Sequence, residues 1–261
     1  MIPDDHALIL FKFGIKKHMS DLKNGKMFLS CAGNYIYIGT HGGNNEQGDK
    51  EEGIFARLKN KDSRIEECYK KFGKDLEIIN DGDYIKLRRK SSLLYPVFCL
   101  YAYKAKDILE SNDITKGTYS FEYRFNDKIF DAFTKSKGIR NCLNEDYLPA
   151  ICVFQPKPFM DNLKCSLFEK GISNYEMRTI DYKIKENDEY YIDPDKRRSE
   201  LFYKNPEYEY QHETRLCLLD RKFSTIFDNA IIPLFPFENE DCHLIINTEI
   251  YFTHMVTIDE K

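Results

Sequence analysis

The first patterned stretch of the chain is ALILFKF (residues 7–13), apolar except for Lys12 and closed by Gly14, which is the pattern of a buried strand. Behind it, IKKHMSDLK (15–23) places Met19 and Leu22 on the inner stripe of a short helix, and Asn24-Gly25 supplies a left-handed stop. KMFLSCA (26–32) then reads as a second strand. Strand patterns return in YIKLRRK (84–90), LLYPVFCLYAY (93–103), the alternating TYSFEYRF (118–125) and PAICVFQ (149–155). Two helical stripes follow from spacing. One is DKIFDAFTKSKG after Asn126, with Ile129, Phe130 and Phe133 inward. The other is KPFMDNLKCSLFEKG (157–171), with Pro158 in its first turn, Phe159, Leu163 and Leu167 as a stripe, and Gly171 at its end. EMRTIDYKI (176–184), YEYQHETRLCLL (208–219), AIIPLF (230–235) and HLIINTEI (243–250) complete the strands. Seven to ten strands in clusters, with three or four helices, predict an α+β fold: mostly antiparallel or mixed sheets with the helices packed on them. Residues 1–261 read as a single domain that allows a helical insertion at about 126–172.

Two stretches break the apolar rhythm. GTHGGNNEQGDKEEG (39–53) is the most polar and glycine-rich part of the chain, and its composition is that of a mobile surface loop. Strands frame it, so a lid or substrate loop is the functional alternative. It lacks the GK[ST] of a phosphate-cradling loop. In YIKLRRK, the cluster Lys86, Arg88, Arg89 and Lys90 reads as a solvated strand edge whose charges resist pairing, with phosphate binding as the alternative.

Composition narrows the classes. A net charge of −4 argues against a generally basic nucleic-acid surface. The longest apolar run is too short to cross a bilayer, so no membrane partner is expected. Asp4 and Asp5 stand where a secretory signal would carry Lys or Arg, which implies a cytoplasmic protein. The eight cysteines are scattered singly with no CxxC pair, so reduced core thiols are expected and no metal.

The sharpest chemistry lies in YEYQHETRLCLL. On a strand, Gln211, Glu213 and Arg215 share one face, at i, i+2 and i+4. A carboxylate with an amide two residues before it can grip a sugar hydroxyl and stabilise positive charge growing on the ribose carbon. The structural alternative is a partly buried Glu213–Arg215 ion pair. The order strand ALILFKFG, helix IKKHMSDLKNG, strand KMFLSC, then a late Q-x-E strand resembles the layout of ADP-ribosyltransferases. That resemblance implies NAD as the substrate that loses nicotinamide, Glu213 as the catalytic carboxylate and Gln211 as its acceptor-facing partner. Lys12 takes the first-strand position and Ser30 competes with Ser120 for the middle one, while Lys12 or Arg215 would meet the cofactor phosphate. Lys12 departs from the Arg or His of that family. The acceptor, protein or nucleic acid, stays open.

More of the chain resembles a large set of uncharacterised bacterial and phage proteins. Its marks here are F-K-F-G…L-x-N-G-K-x-x-x-S (11–30), G-D-K-x-E-G (48–53) and Y-x-x-Q-x-E-x-R (208–215). That resemblance brings no established activity with it. The alternative to the transferase is a non-catalytic phage- or defence-related interaction or nucleotide-binding protein, in which Glu213–Arg215 is a structural pair. A third reading is a Mg²⁺-dependent nuclease of the PD-(D/E)xK kind, with Asp195 and Glu213 on the metal and Arg215 in place of the usual Lys. Cys242 and His243 are adjacent, and neighbours on a strand point to opposite faces, which argues against a Cys–His dyad.

Overall fold

A computed structural model of the chain describes residues 7–41, 48–104, 118–124, 144–182, 189–246 and 251–257, the segments 118–124 and 251–257 by backbone alone. In chain order the elements are β1 (Ala7–Ile15), α1 (Lys16–Lys23), β2 (Lys26–Cys31), α2 (Ala32–His41), β3 (Ile54–Lys59), α3 (Ser63–Phe72), β4 (Leu76–Asp81), β5 (Tyr84–Arg89) and β6 (Pro96–Lys104). They continue with β7 (Thr118–Arg124), β8 (Pro149–Phe154), α4 (Pro156–Glu169), β9 (Tyr175–Thr179), β10 (Tyr190–Tyr191), β11 (Glu213–Leu218), β12 (Asn229–Pro233), β13 (Cys242–Ile246) and β14 (Tyr251–Thr257). The class is α+β, with antiparallel sheets and helices packed on them. No helix among the described residues is long and apolar enough to cross a membrane. The expected helix after Asn126 lies outside the described residues.

The chain divides into two compact units, and the second is built from residues 28–99 and 167–232. In the first unit, β1 pairs antiparallel with the end of β6 on one side and with β8 on the other, and β13 extends the sheet beyond β8. The apolar run 7–13 therefore becomes a strand with two neighbours, and Ile9, Leu10, Phe11 and Phe13 are buried. Met19 and Leu22 of α1 are buried as their spacing predicts. Gly25 ends that helix at φ +84°, and a Cβ there would lie 2.4 Å from the Leu234 carbonyl oxygen, so only glycine fits. In α4, Phe159 and Leu163 are wholly buried, and the Phe154, Phe159 and Phe237 rings pack together with centroids 5.0–5.9 Å apart.

The second unit holds a four-stranded antiparallel sheet in the order β10-β3-β5-β4. Phe55, Ala56, Leu58, Leu76 and Leu87 of the sheet pack with Cys68 of α3, whose first turn is capped by the Asp62 carboxylate accepting from the Arg64 N–H. A second core joins Ala32, Tyr95, Val97, Ile180, Leu201, Phe202 and Cys217. β11 pairs antiparallel with β9, and every residue of β11 is buried.

Four expectations need correction. Residues 39–53 are not simply a surface loop: α2 runs through His41, and Asp49 and Glu52 are buried. YIKLRRK is not a sheet edge, because β5 lies between β3 and β4. Its charges are neutralised locally, Lys86 by Glu51 and Asp81, Arg88 by Glu77, and Arg89 by Glu200. The third concerns YEYQHETRLCLL, whose first half is not strand. Pro206–Gln211 form a 3-10 turn, opened by Asn205 accepting from the Glu207 N–H and closed by His212 in the left-handed region at φ 40°. Last, LLYPVFCLYAY begins as a 3-10 turn over Lys90–Leu94 before β6. Pro206 opens the first of these turns behind the Asn205 cap and favours a tight turn over extension.

Leu163 has no exposed surface. Leu163→Ala is expected to lower stability by about 2–5 kcal/mol, measured by urea denaturation; an unchanged midpoint would show that α4 is not docked as described.

Candidate functional site

The charged motifs GDKEEG and YQHETR, some 160 positions apart, meet inside the second unit at a single arginine. Arg215 sits on β11 with 0% exposure. Its Nη1 donates to Glu52 Oε1 at 2.5 Å and to the Leu201 carbonyl at 2.7 Å, its Nη2 to Glu52 Oε2 at 3.1 Å, and its Nε to Glu213 Oε1 at 2.9 Å. Glu52 therefore takes the guanidinium in the two-pronged manner that fixes both groups. Glu213 stands two residues before Arg215 on the same strand face, as the alternation of a strand requires.

The network continues through a residue that the sequence reading missed. Lys204 donates to Glu213 Oε2 at 2.5 Å and to Gln211 Oε1 at 3.0 Å. The Glu213 main-chain N–H donates to the Tyr182 hydroxyl at 3.0 Å. Burial opposes ionisation of Glu213, but Lys204 and Arg215 outweigh it and hold the carboxyl well below the ordinary glutamate range. Burial likewise works against charge on Arg215 and Lys204. Glu52 and Glu213 overcome it for the arginine, and Glu213 does so for the lysine, so both pKa values are raised. Glu213 is 5% exposed and both of its oxygens are engaged.

Asp49 lies next to this chain of charges and is treated differently by it. Burial first, then the Glu52 charge, push its carboxyl up to about 7, against the partial relief from Lys204. Its Oδ1 accepts from the Glu51 N–H, while its Oδ2 has no hydrogen-bond partner. A second buried acid–base group involves the same 3-10 turn, Ser199–Phe202, that gives Arg215 the Leu201 carbonyl. Arg89 and the Ser92 hydroxyl both donate to Glu200 Oε1, and Arg89 also reaches Asp195 Oδ1 at 3.2 Å.

Lys204 also borders the described recess of the second unit, a small half-open hollow of about 20 Å³ lined by Glu51, Ile54, Arg57, Tyr190, Tyr203, Lys204 and Asn205. Glu51 comes from the turn before β3, β3 contributes Ile54 and Arg57, β10 contributes Tyr190, and the stretch after Phe202 contributes Tyr203, Lys204 and Asn205.

The residues expected to form one site are divided. Glu213, Gln211 and Arg215 come together, although Gln211 arrives from the 3-10 turn and not from the strand. Ser30, half-buried on β2, accepts from Asn34 Nδ2 at 3.1 Å and is not a hydrogen-bond partner of this network. Lys12 belongs to the first unit, where it is in register with Cys152. Asp195 is half-exposed and pairs with Arg89 and Lys71. Among the described residues, no group of three or more His, Cys, Asp or Glu side chains is arranged to hold a metal ion. The described cysteines are all free thiols, most of them buried. Cys242 is buried and His243 exposed, in keeping with opposite faces.

Two predictions follow from the buried charges. Arg215→Met strands Glu52, so it is expected to cost about 3–5 kcal/mol. Combining it with Glu52→Gln is expected to cost less than the sum of the two changes by about 0.5–3 kcal/mol in a denaturation cycle; strict additivity would mean that the two side chains do not interact. Asp49 has its folded pKa raised, from 3.8 to about 7. The unfolded chain therefore releases this proton first, and the group's contribution to stability falls as pH rises through that window and levels off above it. Asp49→Asn is expected to gain on the native protein by about 1.4 kcal/mol per pH unit across the window, read from denaturant midpoints; a gap that stays constant with pH would contradict the burial of an ionisable Asp49.

Comparison of the chain with protein-family models, with curated proteins and with solved structures returned no match, so no family is assigned.

Proposed function

We propose that this chain is a non-catalytic binding protein, in which Glu213 is a structural anchor and the neighbouring recess receives a small polar ligand. One observation carries the reading. Both oxygens of Glu213 are engaged by cations, Arg215 on one side and Lys204 on the other, in a network almost closed to water. A carboxylate that must meet a ribose in its transition state needs a free oxygen facing the sugar. The recess beside Lys204, with aromatic walls and convergent polar groups, has the character of a site for a ligand of a few atoms.

The NAD-cleaving, ADP-ribosyltransferase-like reading stands second, with Glu213 and Gln211 as catalytic groups and the acceptor open. What favours it is that Gln211 and Glu213 converge on one ammonium at the margin of the recess.

Incubation with NAD separates the two. The binding reading expects no release of nicotinamide by the native protein, and a loss of about 3–5 kcal/mol of stability in Glu213→Gln because Lys204 and Arg215 lose their shared anion. Nicotinamide release that disappears in Glu213→Gln, at an unchanged melting temperature, would overturn it.

A further inference from the structure

Two cations of the second unit converge on one ring with no anion to share. The Arg198 guanidinium lies 5.3 Å from the centre of the Tyr95 ring, and the Lys222 ammonium lies 5.0 Å from it. Among the described residues, no acid comes within ion-pair distance of either. The acids of the same stretches are engaged elsewhere: Asp195 with Arg89 and Lys71, Glu176 with Arg178 and Arg197, and Asp228 with the N–H groups of Ser224 and Thr225. Asp220, although close to Lys222 in sequence, pairs with neither cation. The fold brings these like charges together through an unfavourable backbone, since Arg197 and Arg198 both lie in the left-handed region, at φ 52° and 53°. The turn is closed by the Leu201 N–H donating to the Arg198 carbonyl at 3.0 Å.

A strip of exposed rings continues from these cations. The Phe223 N–H donates to the Leu94 carbonyl at 2.8 Å, which fastens Lys222 beside Tyr95. The chain then runs along α2. Ile226 packs so closely on Gly33 that a Cβ there would lie 2.6 Å from its Cγ2. Gly33, Tyr37 and His41 recur every four residues along one face of that helix. Phe227 meets Tyr37 edge-on with ring centroids 5.0 Å apart, and His41 stacks on the same tyrosine at 4.8 Å. Phe227 is 60% exposed and Tyr37 42%. Single exposed apolar side chains are ordinary, but adjoining rings left in water mark a surface that meets something else.

We infer that this face of the second unit binds a short stretch of single-stranded nucleic acid, with Arg198 and Lys222 on its phosphates and Phe227, Tyr37 and His41 against its bases. A phosphodiester chain supplies the anions that these cations lack, and unpaired bases offer flat faces to the rings. An acidic peptide would match the cations and leave the rings unused, and a duplex would keep its bases hidden. Lys222 and Phe227 are joined by at most about 18 Å of chain, the axial length of about five stacked nucleotides. The net charge of −4 is compatible with this because the basic surface is local. None of these residues lines the recess beside Lys204, so the surface is a second site that goes beyond the reading above.

The test is fluorescence-anisotropy titration of the full chain with end-labelled oligothymidylate and oligouridylate of about ten nucleotides, repeated across a series of salt concentrations. Saturable binding of at least one is expected, with an affinity that falls with salt at a log–log slope of about 1.4, or about 0.7 for each of two phosphates. Lys222→Gln is expected to lower that slope by about 0.7. Phe227→Ala is expected to weaken binding at least about fivefold with the slope unchanged, which is the loss of one stacked base. Both side chains are exposed, so the circular dichroism of each variant should match the native protein. Should Phe227→Ala loosen its turn, Tyr37→Ala supplies the same readout from the helix. A hairpin duplex with as many phosphates is expected to bind at least about fivefold more weakly, because its bases are not free to stack on the rings. No saturable binding of either oligonucleotide overturns the proposal, as does an affinity and slope unchanged in the folded variants. Duplex bound as tightly as single strand overturns it too, and so does displacement by polyglutamate as effective as by unlabelled oligonucleotide, which would mark an acidic peptide. The outcome is separable from the non-catalytic reading: nicotinamide release from NAD would sink that reading alone, whereas failure to bind the oligonucleotides would sink this surface alone.

Discussion

The second unit depends on one desolvated guanidinium. Arg215 has no exposed surface, and four hydrogen bonds join it to Glu52, Glu213 and the Leu201 carbonyl. Removing a cation from water is costly, and attraction to neighbours offsets that cost only when anions and acceptors meet it in good geometry. Here they come from three separate places: the turn before β3, the same strand β11, and the 3-10 turn at Ser199–Phe202. Each must be in position for the others to be tolerable. The four-stranded sheet, β11 and the intervening turn are thus mutually specified by charge as well as by apolar packing.

From this anchor the polar architecture extends outward. Glu213 passes the charge to Lys204, Lys204 borders the recess, and across the recess Arg57 is pinned by Asp81 and Tyr84. A side chain that lines a binding hollow must not collapse into it. The buried Glu213 behind Lys204 and the half-exposed Asp81 beside Arg57 hold these cations in place, which is the supporting shell that a preformed site requires. On this account Glu213 acts on ligand through Lys204 and not directly.

Much of the fold was legible because its signals are local. The apolar run ahead of Gly14, the Met19 and Leu22 stripe, the Asn24-Gly25 stop and the Phe159–Leu163–Leu167 stripe all appear as elements at or near their expected bounds. The stretch AGNYIYIGTH gave no helical stripe, since its buried positions are mostly alanine and glycine, and α2 went unread. The alternation of a strand places Glu213 and Arg215 on one face and they do pair, whereas Gln211 reaches them from the 3-10 turn, and their partners Glu52 and Lys204 carry no local signal. Glu52 lies 163 positions away, and Lys204 belongs to an irregular stretch with no periodicity to mark it. One signal was available. GDKEEG and QHETR each run directly into an apolar segment, IFARL or LCLL, and charges that abut buried strands must find each other.

The central claim is that the Glu213 carboxylate is clamped between two cations. Site-resolved NMR titration of its side-chain carbonyl carbon tests this most directly. The account predicts that the signal holds its ionised position as the solution is acidified through the ordinary glutamate value of about 4.3, shifting only as the fold itself is lost. A titration centred near that ordinary value in the folded protein would show a carboxyl free in water, and the structural role given to it here would be contradicted.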